Sequence, residues 1–303
     1  MKDDKEVLHE TTPDTQDPPE EEARKRSEDG ETALNFFKSQ LWEAKGRRAL
    51  YYLISKRGYT EEEIKAMELG FSPFKKVLKK NLGDLFKSLG LNVKGFGETH
   101  TIVIPCRDPE GRIKGFVARR LDNERPKYIY SKGTEFDTLF NLHRARGEEH
   151  CIVVEGYFDA LIATQRGIQG VVAIGGSRLT EKRLEDSIRY GVTTITLIPD
   201  NDERGLKGAE RSLELIREKG LSAFVLELPD GFKDLDEFIR GQGIEAFEKL
   251  RKHAKSGNTW KPKKLPSMHS NIKVSVRSAN STRITQIYYI KKDNVHRPKE
   301  SRS

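Results

Sequence analysis

Cys151-Ile152-Val153-Val154-Glu155-Gly156-Tyr157-Phe158-Asp159 is the stretch from which the fold of this chain can be read. Four apolar residues, three of them β-branched, make a strand-sized run; a glutamate closes it, a glycine turns the chain, and a helix over about 157–166 follows. The alternation continues downstream. Strand 171–174 precedes a helix over 180–189, strand 193–198 precedes a helix over about 206–219, and strand 222–228 leads to helices near 235–240 and 243–252. Strand–helix alternation at this spacing predicts a parallel sheet with right-handed crossovers. In such sheets the reactive groups gather beyond the carboxyl ends of the strands.

Acids stand at those ends. Glu155 and Asp159 follow the first strand, Pro199-Asp200-Asn201-Asp202 the third, and Asp230 with Lys233-Asp234-Leu235-Asp236 the fourth. In extended chain, residues two apart share a face, so each Asp-x-Asp pair is expected to point at one metal ion. Carboxylate clusters suit Mg²⁺, which takes few protein ligands and leaves room for substrate phosphates. Two such ions about 4 Å apart stabilise the attacking and leaving oxygens of phosphoryl transfer. The two cysteines, Cys106 and Cys151, form no Cys-x-x-Cys, and no His pairs with the acids at zinc spacing, so no zinc is expected. A single Asp-x-Asp after a strand is usually just a turn; three clusters at three strand ends argue for a site.

Working outward, residues 32–148 have a different texture. Leu34, Phe37, Leu41 and Ala44 line one face of a helix, and a second helix is expected over Arg47–Lys56. Thr60 with Glu63 forms a capping box for a short helix, Glu61–Met67. Helical patterns return at Phe74–Lys79 and Asn81–Leu89. Thr101–Pro105 and Ile113–Val117 read as the two strands of a hairpin around Asp108-Pro109-Glu110-Gly111, with Lys127–Tyr130 as another strand. The ends are charged and poor in pattern. Residues 1–31 hold 12 Asp/Glu against 5 Lys/Arg, and residues 254–303 hold 12 Lys/Arg against 2 Asp/Glu, within a net charge of +8. Four segments follow: an acidic disordered tail 1–30, an α+β subdomain 31–148, an α/β domain 149–253 with a mostly parallel sheet, and a basic, largely disordered tail 254–303. No apolar run approaches a membrane span, and the N-terminus lacks the apolar core of a signal peptide, so a soluble, reducing, cytoplasmic setting is expected, with no membrane partner.

The three acidic motifs, Glu155-Gly156-Tyr157-Phe158-Asp159, Pro199-Asp200-Asn201-Asp202 and Lys233-Asp234-Leu235-Asp236, resemble the TOPRIM domain shared by DnaG-type bacterial primases and type IA and II topoisomerases. The upstream half selects the primase branch. Arg57-Gly58-Tyr59, Gly70-Phe71-Ser72-Pro73, the hairpin from Ile104-Pro105-Cys106-Arg107-Asp108 through Gly115-Phe116-Val117-Ala118-Arg119, Pro126-Lys127-Tyr128 with Ser131, and Leu139-Phe140-Asn141-Leu142 resemble, in order, the motifs of the primase polymerase core. The likeness covers about 45–253. It implies that Glu155 is the general acid or base and one of the metal-site carboxylates, that Asp159 supports it, and that Asp200 and Asp202 are the main ligands of Mg²⁺ or Mn²⁺, with Asp234 and Asp236 as the third acidic motif. It also implies that Arg119, Lys127 and Tyr128 bind template or nucleotide phosphates, a task for which Arg forks and Lys point charges are suited.

The sequence departs from that family in four places. The acidic tail stands where the zinc ribbon is expected, and the basic tail where the helicase-binding domain is expected. His100-Thr101 replaces the usual Arg before the hairpin, and Asp137-Thr138 stand where a lysine is expected before Leu139. Tail cations, Lys261, Lys263, Lys264 and Lys273 among them, are candidates to track phosphates in place of the missing modules. The implied activity is a primase-like nucleotidyltransferase, a DNA-directed RNA polymerase joining NTPs on single-stranded DNA, of mobile-element or partner-dependent type, with a helicase or a separate zinc-module protein as candidate partners. The alternative is a TOPRIM metal-dependent nuclease or a non-catalytic nucleic-acid-binding subunit.

Overall fold

The computed structural model describes residues 20–263, except 123, 135–137 and 177–178. Two sheets share one folded unit. The first part opens with α1 (Glu20–Trp42), α2 (Arg47–Tyr51), a π-turn at Tyr52–Lys56, and α3 (Glu61–Ala66). It continues through β1 (Gly70–Phe71), α4 (Lys75–Leu82), α5 (Leu85–Ser88), β2 (His100–Arg107), β3 (Ile113–Arg120) and β4 (Tyr128–Tyr130). These strands form an antiparallel sheet in the order β1-β2-β3-β4. The second part comprises β5 (His150–Val154), α6 (Tyr157–Gln165), β6 (Val171–Ala173), α7 (Glu181–Arg189) and β7 (Thr194–Ile198). After these come α8 (Glu203–Glu218), β8 (Ser222–Val225), α9 (Leu235–Arg251) and β9 (Lys255–Ser256). Its sheet runs β6-β5-β7-β8-β9, parallel except for β9. The α+β part followed by an α/β part with a mostly parallel sheet is the fold class expected from the sequence.

The strand order places a topological switch at β5: its own crossover leads to β6 on one side, and the next leads back to β7 on the other. The crevice at the carboxyl ends of β5 and β7 is where such sheets bind ligands. One hydrophobic core runs through both parts. Leu53, Tyr59, Ile104 and Val117 from the first pack with Ile152, Tyr157, Phe158 and Ile162 from the second and with Phe140 of the connection between them. Phe140 also exchanges two backbone hydrogen bonds with Ala173 of β6, tying the connection to the sheet edge. The two faces of the crevice are therefore held against each other by buried apolar surface, the dominant favourable term in folding.

Several boundaries differ from those read in the sequence. Glu20–Gly30 belongs to α1 and is not an unstructured tail. Three tertiary contacts hold it. Arg26 Nε donates to Lys114 O, Ser27 Oγ accepts from the Ile113 N–H, and Gly30 lies so close to Ile113 that a Cβ there would sit 2.7 Å from its Cγ2. Ala44 is exposed because the helix breaks after Trp42. The basic segment is ordered at its start. β9 pairs with β8, and Trp260 is buried with its indole N–H on Glu227, so the second part extends beyond residue 253. The Thr60–Glu63 capping box is present in both directions. The two helices expected near 235–240 and 243–252 are present as the two arms of α9, parted at Gly243, whose φ of 81° only glycine adopts readily. No helix among the described residues is long and apolar enough to cross a membrane.

Candidate active site

Glu155 follows β5, and its Oε1 accepts the Asp200 backbone N–H at 3.1 Å. Gly205, in the first turn of α8, makes room for it. A Cβ at Gly205 would lie 2.6 Å from Glu155 Oε1 and 2.4 Å from Asp200 O. Burial, then the nearby Asp200 charge, push the Glu155 carboxyl up to about 7. At that value it exchanges protons near neutrality, as a general base must.

Asp200 stands on the extended segment after β7. Asp202, two residues on, is the N-cap of α8 and accepts the Gly205 N–H at 2.9 Å. Asp234 is the N-cap of α9 and accepts the Glu237 N–H at 3.0 Å. Between Asp200 and Asp234 sits the Lys233 ammonium, 2.9 Å from Asp200 Oδ2 and 3.4 Å from Asp234 Oδ2. Burial works against the Lys233 charge, yet Asp200 and Asp234 raise its pKa above the ordinary lysine range. Asp200 itself is raised by burial, with Lys233 opposing. Asp159 is buried behind them and is raised by desolvation, then by Asp234, Asp200 and Asp236.

The expectation that each Asp-x-Asp pair shares a face fails at the second pair. Asp236 lies inside α9, 1% exposed, and its carboxylate turns away from Asp234 toward the first subdomain. There it accepts hydrogen bonds from Arg57 Nη1, from the Tyr59 hydroxyl at 2.9 Å and from Arg240 Nε at 3.1 Å. Its own N–H donates to Asp159 Oδ1 at 2.8 Å. With its lone pairs occupied, Asp236 is a strut between the subdomains rather than a free ligand.

Arg119 also differs from its expected setting. It is 5% exposed, with its guanidinium 4.7 Å from the Tyr52 ring centroid, 5.5 Å from Phe158 and 5.9 Å from Tyr128. Its Nη1 donates to Arg120 O at 2.8 Å, and its Nε is a buried donor without a partner among the described residues. It is caged in aromatic faces, not open to a passing phosphate. Tyr128 is part of that cage and packs edge-on against Tyr157. Lys127 is exposed at the groove edge. Partial burial, then Arg119, Lys233 and Arg57, push its ammonium down to about 8, with Asp234 opposing. Of the tail candidates, Lys264 and Lys273 lie outside the described residues, and Lys261 is exposed. Lys263 begins a second unit, distinct from the one that holds the site.

Reading by residue type missed two participants. Arg57 closes the π-turn, donates to the Tyr52 hydroxyl at 3.0 Å, and lies 4.7 Å from the Phe158 ring centroid. Lys233 precedes the third acidic motif, and its position one residue before Asp234 was the available signal. Tyr157 is a packing residue: it is buried and shares a hydrogen bond with the Tyr130 hydroxyl at 2.9 Å.

Among the described residues no three His, Cys, Asp or Glu side chains form a ready metal cage. The donor chemistry nevertheless fits a hard divalent cation. Asp200 and Asp234 already converge on one cation, the Lys233 ammonium. The neighbouring carboxyls Glu155 and Asp159 are raised by burial and by repulsion from the aspartates around them, which added positive charge relieves.

Comparison with known proteins gives consistent results. Residues 36–146 match the family model described as DNA primase catalytic core, N-terminal domain, and residues 152–239 match one described as Toprim-like. A DNA primase of Halalkalibacterium halodurans is 30% identical over 244 residues, covering 72% of this chain and 40% of the relative. One from Aquifex aeolicus is 32% identical over 238 residues, covering 71% and 46%. The chain thus spans less than half the length of these relatives. A solved DnaG primase catalytic domain bound to single-stranded DNA superposes with a TM-score of 0.66 at 27% identity, covering 78% of this chain and 81% of that one.

Proposed function

Because this chain carries the catalytic core of the DnaG-type DNA primases, we propose that it synthesises short RNA primers on single-stranded DNA. The observation that carries the reading is the convergence of Asp200 and Asp234 on one cation, beside a glutamate poised near neutrality and opposite Lys127.

In this reading Asp200, Asp202 and Asp234 hold Mg²⁺ or Mn²⁺, which supplies charge neutralisation for the triphosphate and the leaving pyrophosphate. Glu155 takes the proton of the primer 3′-hydroxyl as that oxygen bonds to the NTP α-phosphorus and the bond to pyrophosphate breaks. Lys233 gives up its place between the aspartates and neutralises phosphate instead. Lys127 binds phosphate from the opposite wall; a bound anion restores the charge that its cationic neighbours discourage. Asp236, tied to Arg57 and Tyr59, fixes the wall that carries Asp234, and Asp159 holds the start of α9. The protein contributes position and electrostatics, the usual division in phosphoryl transfer. Lys261 and the tail lysines add non-specific attraction for the template. A helicase or a zinc-module protein in trans would supply template selection.

The test is template-dependent synthesis. The chain is incubated with single-stranded DNA, four labelled NTPs and Mg²⁺ or Mn²⁺, beside an Asp200→Asn/Asp202→Asn control. Short RNA products that vanish in the control are expected. Degradation of the template, dependent on the same aspartates, would instead identify a nuclease.

A further inference from the structure

Four elements meet at the end of the antiparallel sheet remote from the crevice, and each brings one cation to a shared pocket. Lys38 comes from α1, Lys65 from the last turn of α3, Arg107 from the end of β2, and Arg144 from the 3-10 turn Leu142–Arg144. The pocket measures about 610 Å³. Small-ligand sites span roughly 300–1,000 Å³. It is far from the acids. The Lys127 carbonyl, at the groove edge, accepts the Arg120 N–H, and Arg120 stands opposite His100 at the start of β2. Arg107 closes that strand, about 23 Å from His100.

The charges around the pocket are unequally paired. Arg107 is saturated. Its Nη1 donates to Glu31 Oε1 and to Gly111 O, and its Nε and Nη2 fork onto the Glu68 carboxylate. Both glutamates are thereby taken. Lys65 meets the exposed Glu61 only at 3.7 Å and lies 4.9 Å from the Trp42 ring centroid. An exposed pair of that length contributes little. The side chains of Lys38 and Arg144 have no ion-pair or hydrogen-bond partner among the described residues. Three cations therefore line the pocket with almost nothing to balance them. His143, on the pocket wall, registers the imbalance. Burial, then Arg144 and Arg107, push its imidazole down to about 4. Its Nδ1 is buried without a hydrogen-bond partner among the described residues, where a buried polar atom normally has one. The turn that carries it is firmly held: Asn141 Nδ2 donates to Thr164 Oγ1 and to Val171 O, each at 3.0 Å.

Charged walls select a charged ligand. Three uncompensated cations call for an anion of several charges, and an Arg fork beside Lys point charges is suited to phosphate oxygens. We propose that this pocket, between α1, α3 and the hairpin turn, binds a small polyphosphate anion through Lys38, Lys65 and Arg144. The site is separate from the acidic crevice and does not depend on the primase reading.

The test is calorimetric titration of the full chain with inorganic tripolyphosphate in EDTA and low salt. Without a divalent cation the acidic crevice repels the probe. Saturable binding that weakens as salt is added is expected. Lys38→Gln/Arg144→Gln should weaken it about 10-fold or more, since two charge-assisted contacts are lost. Lys127→Gln, in the groove, should leave it unchanged. Trp42 gives a second readout. It is 37% exposed and is one of two tryptophans, so Trp260→Phe isolates its fluorescence. Tripolyphosphate should shift that emission as Lys65 leaves the ring. ATP forms a second arm: tighter binding than tripolyphosphate assigns the ligand as a nucleotide, equal or weaker binding as a free polyphosphate, and either supports the site. Undiminished binding by Lys38→Gln/Arg144→Gln, or no binding by wild type, overturns the proposal. Neither Lys38 nor Arg144 holds a partner, so the fold should survive their replacement, and circular dichroism checks that it does.

Discussion

The two corners β7–α8 and β8–α9 carry the same Asp-x-Asp spelling and use it in opposite ways. At the first, the N-cap is the second aspartate, Asp202, and Asp200 stays on extended chain facing the crevice. At the second, the N-cap is the first aspartate, Asp234, and Asp236 falls inside the helix. There its side chain reaches Arg57 and Tyr59 in the other subdomain. A shift of two residues in the cap therefore separates a carboxylate that meets a cation at the site from one that braces the site. The spacing of two acids says that they can share a face only while the chain remains extended.

The largest expected effects separate these roles. Asp236→Ala leaves Arg57 buried without its carboxylate and should cost about 3–5 kcal/mol, read as a lowered urea midpoint. Asp200→Asn should do the reverse: primer synthesis falls at least about 10²-fold, while the midpoint holds or rises because a repelling charge is gone. If Asp236→Ala unfolds no more readily than Asp200→Asn, the two corners do not differ as described. Next comes Gly205→Ala. The added Cβ collides with Asp200 O and Glu155 Oε1, so activity should fall about tenfold or more, with KM for NTP changing less than kcat.

Glu155→Gln sharpens the comparison through pH. A carboxyl raised from 4.5 to about 7 in the folded state stabilises it fully below 4.5, and that contribution is lost as pH rises through about 7. In EDTA, wild type should therefore lose stability relative to Glu155→Gln between those values; parallel curves would remove Glu155 from its buried, repelling setting. The smallest effect concerns what the corners share. Asp202→Ala and Asp234→Ala each remove an N-cap and should cost about 1 kcal/mol, less whatever repulsion is relieved. Unequal costs would show how much of each carboxylate serves the helix and how much the site.

Local features were legible in the residues. The Thr60–Glu63 box, the hairpin turn at Asp108–Gly111 and the break before residue 243 each depend on neighbours within a few positions. β1 was not legible as a strand: Gly70–Phe71 is two residues long, too short for any periodicity, and exists only because β2 pairs with it. The helix over Glu20–Gly30 was hidden by an acidic, hydrophilic composition, since its few anchors are contacts with β3 more than eighty residues away. The site divides in the same way. Glu155, Asp200 and Asp234 stand at the strand ends and helix starts where the sequence places them. Arg119, given as a phosphate-binding residue by the family likeness, stands in an aromatic cage that the sequence could not show, because it is assembled from Tyr52, Tyr128 and Phe158, three separate segments.

Most of the order of strands and helices, the parallel α/β half, the acidic strand ends and the family likeness follow from periodicity, caps and motif order, which are properties of short stretches of chain. The direction each charged side chain faces does not. Asp236 braces and Lys233 stands between two aspartates only because distant segments meet there. A charge's partner is set by whichever groups packing brings within a few ångströms, and no local pattern encodes that.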